Sequence, residues 1–323
     1  MKELPLQTMR DALIEGLCRR MRTDGRTFFL SADLGAPALD RLRTDFPDRF
    51  INVGIAEQNL VNVATGLALE GFTVYAYAIA SFLSMRAFEQ IRVNLALMSQ
   101  TRPLNVNLVG LGGGVSYDLS GPTHHCLEDL SIIRTLPNLM LLSPSDSIMA
   151  GRLADFSICM RRPKYIRLDG KPLPCIYGQK SVFDWARGFH EHTVGDDLCI
   201  VATGYMTHKA LGIARQLAGR IRVGIIDLFM LNPVDGAALA QAMSRYTCVV
   251  TLEEGFIGRG GLDSLVASCV REYGLNVELK ALGFKDEYLF APGARESLYR
   301  RHGLGQEQIV DLIASLVPAA HSA

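Results

Sequence analysis

The sequence predicts an α/β protein of two domains, each a mostly parallel sheet flanked by helices. Three observations predict it. Short apolar runs of strand length alternate with stretches of helical periodicity along the chain. A segment rich in Gly, Pro and mixed charge, GKPLPCIYGQKSVFDWARG (170–188), interrupts the alternation, which then resumes. The 323 residues suffice for two domains of roughly 150 each, with a full core apiece. The domains are expected at 1–172 and 191–323, joined by a linker at 173–190.

Residues 7–22 carry helical periodicity. FFLSADLG (28–35) reads as a buried strand entering a loop, and FINVGIAEQN (50–59) as a short strand turning into a helix that continues through LVNVATGLALEG. TVYAYAIASF (73–82) is a strand, followed by a helix over 84–98. PLNVNLVGLGGG (103–114) is a strand running into a glycine loop. LEDLSIIRTL is a helix, and LMLLSPSD and YIRLD (165–169) are strands. Apolar strands of this kind, separated by helices, belong in a parallel sheet covered on both faces. Beyond the break, LCIVATG, HKALGIARQLAG, RVGIIDLFMLNP, a helix from 235, TCVVTLEEG and a helix from 261 make a βαβαβα unit.

Composition narrows the function classes. Lys+Arg and Asp+Glu are both 33, so the net charge is zero, and nothing advertises nucleic acid or an anionic membrane as partner. A neutral chain gains less solubility from charge, which a large obligate interface would help explain. The seven cysteines are scattered without a CxxC pair, which argues against a disulfide framework or zinc site and fits reduced thiols. MKELPLQTMRDALIEGLCRRMR has no signal-peptide apolar core, and no later run is long enough to span a bilayer; a cytoplasmic location is expected. GxGxxG, P-loop and GxSxG motifs are absent, as is metal-ligand spacing of His, Cys and Asp.

Four groups of residues could carry chemistry. Glu57, in NVGIAEQN, stands where a strand gives way to a helix. By spacing alone it is a dipole partner or cap; its small apolar neighbours would also partly desolvate it, a setting in which a carboxyl can share a proton. In SFLSMRAFEQIR, Phe82, Met85 and Phe88 recur every three residues, either as ordinary core or as an apolar wall for a flat heteroaromatic ring. GPTHHCLED (121–129) presents His124 and His125 at a loop end above a parallel sheet, where such sheets bind ligands. Arg10 and Arg167 lie near predicted helix and strand ends and are solvated surface residues or anion clamps.

Taken together these segments resemble the pyrimidine-binding and C-terminal domains of transketolase, and the matching part of 1-deoxyxylulose-5-phosphate synthase, over nearly the whole chain. NVGIAEQN is similar to the segment whose glutamate contacts the aminopyrimidine of thiamine diphosphate. SFLSMRAF resembles the aromatic wall for that ring. GPTHH followed by LEDLSIIRTLPNLMLLSPSD is the most specific match. The resemblance implies that Glu57 activates the cofactor through the ring nitrogen N1′. Phe82, Met85, Phe88, Ile55 and Asp33 would line the cofactor. His124 would assist proton transfer at the donor sugar, with Arg10, Ser120, His125 and Arg167 facing substrate. The implied reaction passes a two-carbon ketol unit from a ketose to an aldose.

One thing this chemistry needs is missing. The family anchors diphosphate through Mg²⁺ (or Ca²⁺) on a GDG motif followed by Asn, and no such motif is present; the GDD of VGDDLC (194–199) runs at once into an apolar strand. The chain also begins where the second domain of a full-length transketolase would begin. The resemblance therefore implies a partner subunit that carries GDG…N, in an α2β2 assembly with the cofactor between unlike chains.

Other departures bear on substrate. The serine and histidine of the family's phosphate clamp read Pro37 and Gly112, the acidic residue four before the loop histidine reads Ser120, and the loop is YDLSGPTHH. These imply a modified, branched or nucleotide-linked sugar, or one with a different anion. Competing readings are the beta subunit of a 2-oxo acid dehydrogenase, a deoxyxylulose-phosphate-synthase-like enzyme, and a non-catalytic scaffold subunit.

Overall fold

The computed structural model describes residues 6–317, so the first five residues of the N-terminal stretch and the last six of the chain lie outside the described residues. The N-terminal half contains α1 (Met9–Met21), β1 (Thr27–Ser31), α2 (Pro37–Asp45), β2 (Phe50–Asn52), α3 (Glu57–Leu69), β3 (Thr73–Ile79), α4 (Phe88–Gln90), β4 (Asn105–Leu111), α5 (Asp129–Arg134), β5 (Met140–Leu142), α6 (Ser147–Cys159) and β6 (Lys164–Leu168). Its strands run parallel, and β4 is buried at every residue because helices cover both faces.

The C-terminal half contains β7 (Phe189–Thr193), β8 (Leu198–Ala202), α7 (Tyr205–Leu217), β9 (Val223–Leu228), β10 (Met230–Asn232), α8 (Gly236–Met243), β11 (Cys248–Phe256), α9 (Leu262–Glu272), β12 (Glu278–Phe284), α10 (Arg295–Arg301) and α11 (Gln306–Leu316). Five of its strands form a second sheet in the order β12-β11-β8-β9-β7, with only β7 antiparallel. The two-domain, mostly parallel α/β architecture expected from the pattern is present. No helix of the described residues is long and apolar enough to cross a membrane.

The structure departs from the sequence reading in several elements. Helices α2 and α6 have no counterpart in the periodicity read above. In α6 the buried residues are largely small, and the helix lies flush on α1, where a Cβ on Gly16 would fall 2.6 Å from that of Ala154. Such close packing does not need a clean apolar stripe. The apolar run RVGIIDLFMLNP is two strands rather than one. Its end, β10, leaves the second sheet and pairs antiparallel with β5, closing a first sheet of order β10-β5-β6-β4-β3-β1-β2. The helix expected over 84–98 winds instead as wide π-helical turns at Phe82–Arg86 and Ile91–Leu97.

Two buried polar clusters join the halves. In the first, Arg167 on β6 donates through Nε to Asp129 (2.9 Å) and through its second terminal nitrogen to the carbonyl of Glu254 on β11 (2.9 Å). Arg295, at the start of α10, reaches the carboxylates of Glu254 and Asp169, each at 2.6 Å. Burial pushes the Asp169 carboxyl up against the pull of Arg295; at Glu254 burial is outweighed by Arg295 and Arg167, which hold the carboxyl below its ordinary value. In the second, Asp227 at the end of β9 accepts from Ser145 Oγ (2.6 Å), Tyr177 OH (2.6 Å) and Thr207 Oγ1 (2.9 Å). Burial raises its carboxyl to about 7 despite those bonds.

Arg295→Met leaves two buried carboxylates without their cation and is expected to cost roughly 3–5 kcal/mol, read as a lower urea midpoint. At Asp227 the folded carboxyl keeps its proton up to about pH 7, whereas the unfolded one loses it near about pH 4. Its contribution to stability is therefore complete below about pH 4 and is lost as pH rises through 7. Asp227→Asn should flatten that part of the profile when urea midpoints are compared across this range.

Candidate active site

Parallel strands deliver their loops to one edge of the sheet, and most of the candidate residues sit there. Glu57 opens α3 after the positive-φ Gly54, and its side chain is buried to 3% exposure. Its carboxylate oxygen Oε2 accepts a hydrogen bond from Arg86 Nη1 at 2.5 Å, and Arg86 is 47% exposed. The same guanidinium lies over the ring of Phe82, 4.7 Å from its centroid. The other side of this small group is His124, whose ring meets Phe82 at 5.2 Å, tilted by 65°. His124 Nδ1 is 3.0 Å from Thr123 Oγ1, which leaves Nε2 as the ring nitrogen without a partner among the described residues.

The adjacent histidine faces elsewhere. His125 is buried, neither ring nitrogen finds a hydrogen bond, and burial lowers its pKa against the attraction of Asp118 and Glu254, keeping it neutral. The two histidines therefore divide: His124 faces the Phe82 ring, and His125 belongs to the loop's packing.

Of the aromatic series, only Phe82 meets His124. Met85 is exposed, and Phe88 packs half-buried against the apolar core, lining a cleft with Ala96 and Leu136. The π-helical turn at Phe82–Arg86 alters the winding on which the spacing of three is read. Ile55 is 75% exposed in the turn before α3. Asp33 sits in the left-handed region at φ 55° and is latched to Asn52, accepting from its Nδ2 at 2.8 Å and donating its own N–H at 3.1 Å.

The expected substrate residues are scattered. Arg10, half-buried in the first turn of α1, donates to Asp11 at 2.7 Å and faces Tyr77 and Tyr117. Arg167 lies in the buried charge cluster described above, with Nε and one terminal nitrogen donating to Asp129 and to backbone carbonyls. It packs between domains and is not brought to His124. Ser120 is exposed on the loop and stabilises only the local turn through its N–H to the Tyr117 carbonyl.

Two residues of the site are not singled out by the sequence pattern. Arg86 has a readable signal, an arginine four positions after Phe82 in a helical segment, where cation and ring meet. Tyr117 has none. Its ring packs onto Gly112, whose φ of 95° and missing Cβ make the space, and stands edge-on to His124 at 6.4 Å. Gly113 and Gly114 make room in the same way for Arg167 and Glu254, so each glycine of the loop admits a neighbouring side chain. Nearby, Asp118 is paired with Lys171 and accepts the Arg295 N–H at 2.6 Å; these contacts outweigh burial and lower its pKa.

A buried carboxylate beside an aromatic face and a half-exposed imidazole can orient a flat nitrogenous ring and move protons next to it. Among the described residues no cluster of three or more His, Cys, Asp or Glu could hold a metal ion. The pyrimidine binding domain of transketolase matches residues 6–174, and the transketolase C-terminal domain matches residues 189–309. The chain is 36% identical over 273 residues to one of the subunits of the apulose-4-phosphate transketolase of Actinobacillus succinogenes, covering 84% of this chain and 86% of that one. It is 31% identical to the 6-deoxy-6-sulfo-D-fructose transketolase subunit SqwH of a Clostridium species, over 94% and 92%. A solved structure described as a split gene transketolase, inactive beta4 tetramer, superposes with a TM-score of 0.85 at 30% identity, covering 97% of this chain and 99% of that one.

The Gly112–Tyr117 contact is open to a double-mutant cycle. Gly112→Ala puts a methyl into the Tyr117 ring and strains a positive φ, and should cost about 2 kcal/mol or more by urea denaturation. In the Tyr117→Ala background the cost should shrink by at least about 0.5 kcal/mol, because only the backbone strain remains.

Proposed function

The chain belongs to the transketolase family, and on that premise we propose that it is the pyrimidine-binding subunit of a two-chain, thiamine-diphosphate-dependent enzyme. The reaction proposed is transfer of a two-carbon ketol unit from a ketose donor to an aldose-type acceptor, with a modified sugar on at least one side. The observation that carries this reading is the buried Glu57 carboxylate, met by a planar N–H donor whose central carbon stands 4.7 Å from the Phe82 centroid, with His124 alongside. That arrangement offers an aminopyrimidine a hydrogen-bond acceptor and an aromatic face.

When bound, thiamine diphosphate supplies the electron sink for carbon–carbon cleavage and formation. The residues of this chain have more limited tasks. Glu57 accepts a hydrogen bond from the ring nitrogen and biases where its proton sits. Phe82 supplies the flat apolar face. His124, through Nε2, holds or delivers a proton at the donor's hydroxyl or carbonyl oxygen. Asp33, Ile55, Met85 and Phe88 play a lesser part; Ile55 and Met85 are exposed apolar side chains two residues and one residue away from Glu57 and Arg86, respectively. Leu119, five residues before His124, is exposed as well, at 83%. Such a surface suits a protein partner.

The partner proposed is the chain that binds the diphosphate and its Mg²⁺ or Ca²⁺, since the sequence here has no GDG…N. An α2β2 assembly places each cofactor between unlike chains. Two relatives are named as subunits of transketolases for apulose 4-phosphate and 6-deoxy-6-sulfofructose, which supports a modified sugar. The positions expected to clamp a phosphate support it independently. Pro37 and Gly112 offer no clamp side chain, Ser120 is neutral, and Arg167 is held by Asp129. Arg10, beside Tyr117, is the remaining arginine of the expected pair for an anionic group.

Co-expression with the partner and steady-state assays test this. Glu57→Gln and His124→Ala should each lower kcat by about 10²-fold or more, the usual yield of a placed acid–base group. Xylulose 5-phosphate with ribose 5-phosphate should be a poor pair beside branched or otherwise modified sugars. If that pair proves best, the substrate proposal is wrong; if Glu57→Gln keeps full activity, the chain is a scaffold.

A further inference from the structure

We propose that Arg86 is a built-in stand-in for the cofactor's aminopyrimidine, filling the seat until the ring displaces it. The inference rests on the reading of Glu57 and Phe82 just given. Those two residues offer the ring a hydrogen-bond acceptor and a stacking face, and the Arg86 guanidinium uses both at once. It donates to Glu57 Oε2 at 2.5 Å and its central carbon sits 4.7 Å from the Phe82 centroid. A guanidinium is planar, delocalised and rich in N–H donors, so it resembles a protonated aminopyrimidine in the features this seat recognises.

The asymmetry of burial sets the direction of exchange. Glu57 is 3% exposed and Arg86 47%, so the carboxylate is fixed inside while the cation has an open route out. Arg86 is the only hydrogen-bond donor to the Glu57 side chain among the described residues. Without it the empty seat would hold a buried charge lacking any partner, which is unfavourable. The contact is set up by the wide turn Phe82–Arg86, which carries the stacking ring at one end and the cation at the other. Wide turns of this sort recur at functional sites. The chain thus satisfies its own acid when no cofactor is present, and cofactor affinity is set against the loss of that contact.

The test is cofactor binding in the reconstituted two-chain complex, by isothermal titration with thiamine diphosphate and Mg²⁺, separately from turnover. Arg86→Met removes the competitor but keeps an unbranched side chain; it should tighten binding by about tenfold, the loss of one charge-assisted contact from the empty state. Arg86→Lys keeps the charge without the flat fork and should fall between. Guanidinium chloride at tens of millimolar, below denaturing levels, should weaken binding to Arg86→Met by refilling the seat, and leave wild type nearly unchanged. Equal or weaker binding by Arg86→Met, with its urea midpoint within error of wild type, would overturn the proposal. If that variant instead loses stability, absence of the guanidinium competition overturns it. Glu57→Gln separates the two levels: unchanged cofactor affinity in that variant means the site reading itself has failed, whatever Arg86 does.

Discussion

The buried alternation of charge from Asp129 through Arg167 and Glu254 to Arg295 and Asp169 is the constraint on which the rest of this structure depends. Its members come from α5, β6 and the residue just after it, β11 and α10, so it exists only when both halves of the chain are folded. Charges this deep are tolerated because each is paired and hydrogen-bonded, and removing any one strands the others. The glycine loop lies directly on it: Gly113 and Gly114 touch Arg167 and Glu254, and the N–H of Val115 donates to the Glu254 carboxylate at 3.2 Å. The position of His124 is thus inherited from an ion network in which it takes no part.

Features set by local chemistry were legible in the sequence. Alternating strands and helices gave the fold class, the strand-to-helix turn at Glu57 marked its carboxylate, and the Gly-Pro-Thr turn before the histidines marked the loop. What was not legible depends on partners far along the chain. Arg167 reads as a free arginine at a strand end, and only the approach of Asp129 and the Glu254 carbonyl shows it engaged. Phe88 reads as a companion of Phe82 under α-helical winding, whereas a π-helical turn separates the two and Phe88 packs half-buried against the core. Tyr117 gains meaning only from the space above Gly112. In α6, close contact with α1 substitutes for the amphipathic stripe a sequence reader looks for.

The site itself shows a division between rigid and adjustable parts. Glu57, His125 and the glycine loop are buried and fixed by their surroundings. His124 and Tyr117 are partly exposed and held mainly by ring contacts, and Arg86, partly exposed too, is held by one bond to Glu57 and by the Phe82 ring, so all three have room to shift. Adaptable side chains thus stand around a fixed carboxylate and a fixed backbone.

The crossing of β10 has a consequence for how this chain can be divided by recombination. Architecture suggests two modules that could be shuffled or truncated at the Gly- and Pro-rich connection. Yet Met230–Asn232 completes the first sheet, and the Asn232 amide donates to the Leu139 carbonyl at 2.7 Å. A cut at the connection would bare the backbone of β5 as an unpaired edge, a template for misassembly. The two domains are separable on paper but are stitched into one folding unit, so a recombination break within this pair would expose that edge.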